Sequence, residues 1–345
     1  MLKVRFLFLL MLTMLSVVIA GGWASGVQAC TRILWNTGRT GVFVGRTMDW
    51  PESTDPILMI FPRGRHRSGA LPGGSVAVED PAVWTSKYAS LVTSIYGVGA
   101  VDGLNEKGLG AHLLYLNATQ YPSRTPAVPG LQAGLWAQYV LDNAATVNEA
   151  LTALENVQVV MIAARGHKAA LHLALEDAGG DSAIVEYLNG EMHVHHDKAW
   201  TVVTNDPDYD TQLSLLKNID MSHPDSTLPL PGNVSPTARF ARATYFSHLL
   251  KTPAGSDMAI SKLLSVLRNV SVPYDAPYKG VGTYTTEYRT IADLTRRRYV
   301  FELTSGLEIH NVELMKFPLE KGAPVMELDP RHTGNTFTQD LHPLF

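Results

Sequence analysis

The chain predicts an α+β fold, a sheet sandwich with helices packed on its outer faces. Strand-like and helix-like runs come in blocks, strands then helices then strands then helices then strands, which suits that layering. No internal repeat, low-complexity tract or charge block interrupts the order. A hydrophobic content of 46% over 345 residues gives enough material for one large core.

The first segment is set apart. Lys3 and Arg5 form a short positive region, residues 6–20 are almost wholly apolar, and Val27-Gln28-Ala29 resembles a signal-peptidase site. Residues 1–29 therefore read as a cleaved secretory leader, too short for a spanning helix, and residues 30–345 as a single domain. Short β-favouring runs follow at 32–35, 42–46, 58–61 and 91–96, separated by Gly, Pro, Asp and Asn. Apolar residues at helical spacing over 131–141 predict a helix, and Thr146-Val147-Asn148-Glu149 has the form of a capping box opening the next. Strands return at 169–175, 183–187, 192–196 and 200–204, broken by Gly179-Gly180-Asp181 and Asn189-Gly190. Ser235-Pro236 predicts the start of a helix through residue 250, and Ser256-Asp257 another. Residues 283–290, 299–303 and 307–312 read as strands.

Charge and motifs narrow the function. The formal net charge is −4 and becomes more negative once Lys3 and Arg5 are removed, so no basic stripe is present for a nucleic acid. After the leader no run is long enough to cross a membrane. Phosphate-binding glycine loops, zinc-helix motifs and Gly-x-Ser-x-Gly elbows do not occur.

Cys30 is the only cysteine, and leader cleavage makes it the first residue of the mature chain. A lone thiol in an oxidising compartment forms no internal disulfide, which leaves lipid attachment or nucleophilic catalysis. For catalysis, a free α-amine with a reference pKa of about 7.7 to 8.0 serves as base for the thiol of the same residue. Such a site needs a cation beside the sulfur, an anion for the ammonium and donors for an oxyanion. Gly45-Arg46-Thr47-Met48-Asp49-Trp50 supplies the charges at the end of the second predicted strand. If that strand pairs antiparallel with the one starting at Cys30, they return to the nucleophile. By spacing alone, an Arg and an Asp there are ordinarily a solvated surface pair.

Five segments in order carry a resemblance: Cys30-Thr31-Arg32, Gly45-Arg46-Thr47-Met48-Asp49-Trp50, Asn105-Glu106-Lys107-Gly108-Leu109, Thr204-Asn205-Asp206-Pro207 and Ala238-Arg239-Phe240. Together they resemble the choloylglycine hydrolase family of N-terminal-nucleophile hydrolases, which holds conjugated bile salt hydrolases and penicillin V acylases. The resemblance implies a four-layer αββα sandwich of two antiparallel sheets and commonly a homotetramer. It implies hydrolysis of a secondary amide through a thioester, with no metal or organic cofactor. Residue by residue it implies Cys30 as nucleophile with its amine as base, Arg46 near the sulfur and Asp49 on the amine. Asn205 and the backbone N–H of Tyr115 become the oxyanion donors, and Arg239 completes the polar cluster. Tyr115, where bile salt hydrolases usually carry Asn, resembles the acylases.

Trp50, Tyr115 and Met48 are the candidate substrate-binding residues, the two aromatics making an apolar slot for a phenoxyacetyl ring or a fatty acyl chain. With the leader, this resembles the Gram-negative, periplasmic branch, whose members include penicillin V acylases that also cleave long-chain N-acyl homoserine lactones. A conjugated bile salt hydrolase is the alternative, and an acyl-binding lipoprotein lipidated at Cys30 is the alternative of another class. Against lipidation, Val27-Gln28-Ala29 lacks the usual leucine and places Gln where a small residue is expected. His193, His195 and His196 raise a metal question, but no nearby Cys or well-spaced carboxylate completes a site, and an ordinary surface strand is favoured. Without the resemblance, Arg239 and Arg242 read as a solvated helix face and Asn205 as a turn residue.

Overall fold

The computed structural model describes residues 29–71, 78–278, 282–332, 334 and 336–340. Apart from Ala29, the expected leader lies outside them. The first strands are β1 (Ala29–Asn36), β2 (Val42–Trp50), β3 (Ile57–Phe61), β4 (Ser90–Ile95), β5 (Gly99–Asn105) and β6 (Leu109–Tyr115). After helices α1 (Trp136–Asn143) and α2 (Val147–Leu154) come β7 (Leu171–Asp177), β8 (Ser182–Leu188), β9 (Glu191–His196) and β10 (Val202–Val203). Helices α3 (Tyr209–Leu216), α4 (Pro236–His248) and α5 (Ser256–Val270) precede β11 (Thr285–Asp293), β12 (Arg298–Leu303), β13 (Ile309–Glu313), β14 (Val325–Leu328) and β15 (Thr338–Asp340).

These strands build a six-stranded sheet, β10-β1-β2-β11-β12-β13, and a nine-stranded sheet, β9-β8-β7-β6-β5-β4-β3-β14-β15. Each hydrogen-bonded pair of strands within the two sheets is antiparallel. The sheets face one another, β1 against β6, while α4 and α5 cover the outside of the smaller sheet and α1 that of the larger. This is the expected αββα sandwich. Covering on both faces explains why every residue of β2 is buried, polar ones included. Wholly buried Ile33, Phe43, Leu58, Phe61 and Phe301 fill the interior, each contributing about 1.5–3 kcal/mol.

Local signals set the helix starts. The Thr146 hydroxyl accepts from Glu149 N at 3.2 Å, and Glu149 reaches back to Ala145 N at 2.8 Å. Ser235 caps α4, with Pro236 as its first residue. The helix expected over 131–141 is shorter, because Gly130–Gln132 is a strand and Ala133–Leu135 a 3-10 turn. The strand expected over 200–204 shrinks to β10, since Thr204 and Asn205 turn their groups to α3: Thr204 Oγ1 meets Gln212 Oε1 at 2.6 Å, and Gln212 Nε2 donates to Asn205 O.

His193, His195 and His196 lie on the edge strand β9. His195 packs against Trp200 and Tyr209, and His196 Nε2 meets Asp181 at 2.9 Å. Among the described residues no group of three or more His, Cys, Asp or Glu side chains is arranged to hold a metal ion.

Candidate active site

The β1–β2 register pairs Cys30 with Met48, Thr31 with Thr47 and Arg32 with Arg46, and β11 continues the rows with Tyr288 opposite Met48 and Thr290 opposite Arg46. The Cys30 and Arg46 side chains therefore share the inner face of the sheet, while Thr31, Thr47 and Asp49 share the outer face, toward α4.

Cys30 is buried, and three of its atoms are held separately. Its N–H donates to Asn205 Oδ1, its carbonyl accepts from Arg239 Nη1 at 2.6 Å, and Arg46 Nη2 lies 3.7 Å from its Sγ. Arg46 is fixed in turn, Nη1 donating to Val101 O at 2.7 Å and Nη2 to Leu113 O at 2.8 Å. Burial opposes the Arg46 charge, but Tyr288, Cys30 and Asp102 more than offset it, so its pKa is raised.

Asn205, just beyond β10, also donates Nδ2 to Tyr115 O at 2.6 Å, and its Oδ1 accepts from Arg239 Nη2 at 3.0 Å. The amide carries two N–H bonds, so one donor is left for a further acceptor. Leu116 N bonds Ala170 O, which turns the Tyr115 N–H and C=O to the opposite side of β6, toward Asn205.

Asp49 bonds Thr286 Oγ1 and Thr47 Oγ1 and lies 3.4 Å from Arg239 Nη1. Burial pushes its carboxyl up, against the pull of Arg239, Thr286 and Thr47. Its register partner is Ala29, the residue before Cys30. Arg46, Asp49 and Arg239 are thus wholly interior, and Arg242 is buried as well, giving Nη1 to Pro231 O and Asn233 O. The solvated surface pair and solvated helix face that spacing alone suggests are both corrected by the covering of the sheet on two sides.

An apolar cavity opens beside this cluster, lined by Trp50, Tyr96, Val101, Tyr115, Ile162 and Leu171 among others. Trp50 and Tyr115 meet edge to face, centroids 6.2 Å apart, and Trp50 Nε1 donates to Tyr96 OH at 2.7 Å. Met48 does not line it: its Sδ sits 3.8 Å from Cys30 Sγ, making it packing for the nucleophile. His167 and Lys168 stand on the cavity wall and carried no signal in the sequence reading. Also unforeseen are the buried charges Arg32, Asp102, His112 and Glu176 between the sheets. The turn Glu106-Lys107-Gly108 held the cue, because a hairpin about it sets Asp102 opposite His112.

The arrangement suits amide chemistry: a buried thiol beside a cation, amide donors converging on the same edge, and an apolar cavity next to both. Residues 30–327 match the family described as linear amide C–N hydrolases, choloylglycine hydrolase family. The penicillin V acylase of Pectobacterium atrosepticum is 35% identical, with 88% of this chain and 87% of that protein covered. A bile salt hydrolase/transferase of Bifidobacterium longum subsp. longum is 28% identical over 70% of this chain and 81% of its own. The structure of the penicillin V acylase from Agrobacterium tumefaciens superposes with a TM-score of 0.78 at 37% identity, covering 87% of this chain and 91% of that one. A variant conjugated bile acid hydrolase from Clostridium perfringens shares the fold, with a TM-score of 0.72 at 20% identity over 90% and 96% of the two chains. With a buried cysteine where the family match begins and that match running through both sheets, the chain belongs to the choloylglycine hydrolase family of linear amide C–N hydrolases.

Proposed function

We propose that the protein is an exported cysteine amidase that hydrolyses the secondary amide of penicillin V and of long-chain N-acyl homoserine lactones through a thioester. The observation that carries this reading is the separate hold on the N, O and Sγ of Cys30 by Asn205, Arg239 and Arg46. One residue fixed at its nitrogen, carbonyl and sulfur is arranged to act as nucleophile and base together once that nitrogen is freed.

Leader removal turns the Cys30 N–H into an amine with further donors. Asp49, across the ladder from Ala29 and buried beside Arg239, is the group to receive them. The acyl group enters the apolar cavity, and its carbonyl carbon faces Cys30 Sγ. The amine takes the thiol proton as sulfur attacks. The free N–H of Asn205 and the Tyr115 N–H hold the oxyanion, which lies within reach of the cavity because Tyr115 lines it. Collapse passes the proton to the leaving nitrogen, the amine product departs, and a water activated by the Cys30 amine cleaves the thioester. Every group in this sequence belongs to the chain, and no cofactor is invoked.

The Trp50–Tyr115 pair favours a flat ring or a single acyl chain in the cavity, and identities of 35% and 37% to two penicillin V acylases support the same choice. The conjugated bile salt reading stays as the second, favoured by the 28% identical bile salt hydrolase/transferase. A periplasmic location and a homotetramer belong to the proposal, on the leader and the family resemblance. Acid-quenched mass analysis during turnover of penicillin V tests the chemistry. A phenoxyacetyl adduct on an N-terminal Cys30 peptide is the expected result. An unmodified Cys30 despite turnover, or a lipid on its amine, contradicts it.

A further inference from the structure

The β5–β6 ladder runs from Leu104↔Gly110 to Asp102↔His112 and stops there. The next rung of that register would join Val101 to Leu113. Instead Arg46 reaches across from the other sheet and donates to both carbonyls, at 2.7 and 2.8 Å. Asp102 and His112 are the chain neighbours of those two carbonyls and stand at the edge of the opening.

Their side chains form an ion pair, His112 Nδ1 meeting Asp102 Oδ1, while His112 Nε2 meets Glu176 Oε1. Glu176 Oε2 accepts from Arg32 Nε at 2.8 Å. Asp102 Oδ2 accepts from Tyr299 OH at 2.6 Å and from Thr290 Oγ1. Arg32, Glu176, His112, Asp102 and Arg46 thus alternate in sign through a wholly buried layer that ends at the Cys30 sulfur. Breaking such a pair leaves an uncompensated interior charge.

We propose that Asp102 and His112 are the positioning pair of Arg46, clamping the last rung so that the Val101 and Leu113 carbonyls hold the guanidinium at Cys30, and that His112 does so in its protonated form. The proposal rests on Cys30 being the nucleophile. Facing His112 and Asp102 are Glu176 from β7, Arg32 from β1, Arg46 from β2, Tyr288 from β11 and Tyr299 from β12. Burial works against the His112 charge, but Glu176 and Asp102 more than offset it and raise its pKa to about 9.

Because Cys30 is the only cysteine, iodoacetamide alkylation reports on its sulfur alone, whatever the substrate. The test compares the pH profile of alkylation, kcat and KM for penicillin V, and Tm, in leader-free wild type, His112→Gln, Tyr299→Phe and Ser182→Ala. In His112→Gln the alkylation midpoint moves to higher pH by about one unit, and kcat falls about tenfold with KM nearly unchanged. Tyr299→Phe, which removes one donor to Asp102 and keeps its ring, shifts both in the same direction by less. Ser182→Ala, at the Arg32 end of the chain, lowers Tm and leaves the midpoint in place. If His112→Gln does not fold, Tyr299→Phe decides the matter. A lowered Tm with an unmoved midpoint and kcat overturns the positioning role. If alkylation of wild type leaves hydrolysis intact, the nucleophile reading fails instead, so the two failures are told apart.

Discussion

Cys30 and Asn205 lie 175 residues apart in the chain, yet the Cys30 N–H donates to Asn205 Oδ1. Antiparallel pairing of β1 with the short β10 brings them together, and the Asn205 side chain then joins Cys30, Tyr115 and Arg239. One amide ties the start of the domain to both sheets and to α4.

Replacing that amide therefore affects chemistry first. Asn205→Ala removes the proposed oxyanion donor and one acceptor of Arg239, and kcat is expected to fall about 10²–10³-fold. Unpaired groups left inside lower stability by about 1–3 kcal/mol. Steady-state kinetics and urea denaturation check both; unchanged kcat removes Asn205 from the mechanism.

Pocket residues separate binding from chemistry. Trp50→Ala deletes one wall of the cavity and frees Tyr96 OH of its Trp50 donor. KM for penicillin V is expected to rise about tenfold or more while kcat changes less. A pure kcat effect with constant KM across acyl groups contradicts the pocket assignment.

Stability is expected to peak in a mildly acidic window. Burial disfavours the charged form of Asp102, but His112, Arg46 and Thr290 more than offset it and lower its pKa to about 2. That stabilisation is present above the unfolded value of about 3.9 and is lost as pH falls toward 2. His112 is raised to about 9, so its contribution is full below the unfolded value of about 6.5 and is lost as pH rises through 9. Denaturation midpoints at pH 6, 8 and 9.5 should fall in that order, with a weaker fall in His112→Gln. An equal alkaline fall in that variant would show that another group is responsible.

Gly103 tests the packing of the rung beside Asp102. A Cβ there would stand 2.5 Å from Leu91 O and 2.9 Å from Val92 Cα, both backbone atoms. Gly103→Ala is expected to destabilise by about 1–3 kcal/mol. At Gly45 the nearest atom is the Leu267 Cδ1 side-chain end, 2.8 Å away, so Gly45→Ala is the milder change. Thermal denaturation of the two side by side gives the comparison.

How much was legible follows from the same residues. Cys30 stands out because a single thiol directly after an expected leader has few uses, and Arg46 and Asp49 because their strand returns beside it. Their burial was not legible, since nothing in the spacing tells of a sheet covered on both faces. Strands β5 and β6 are not legible, because Gly99, Asp102, Gly103 and Gly110 disfavour strands by propensity. Tertiary crowding explains two of those glycines: side chains at Gly103 and Gly110 would strike Leu91 O and Glu176 Oε1. Helix α3 has a cue in Asp208, which caps it, Thr211 N donating to Asp208 Oδ1 at 3.1 Å, but its eight residues carry only a weak apolar period. Met48 shares its strand face with Trp50, yet it sits against the nucleophile, its Sδ beside Cys30 Sγ, and only Trp50 reaches the cavity.

The most direct measurement is product release by the leader-free protein from penicillin V, a long-chain N-acyl homoserine lactone and glycocholate, with Cys30→Ser beside it. The expected result is cleavage of the first two, little of the third, and loss of about a thousandfold or more in the serine variant at unchanged Tm. Cleavage chiefly of glycocholate would move the protein to the bile salt reading. Turnover by Cys30→Ser at the wild-type rate would contradict the nucleophile assignment itself.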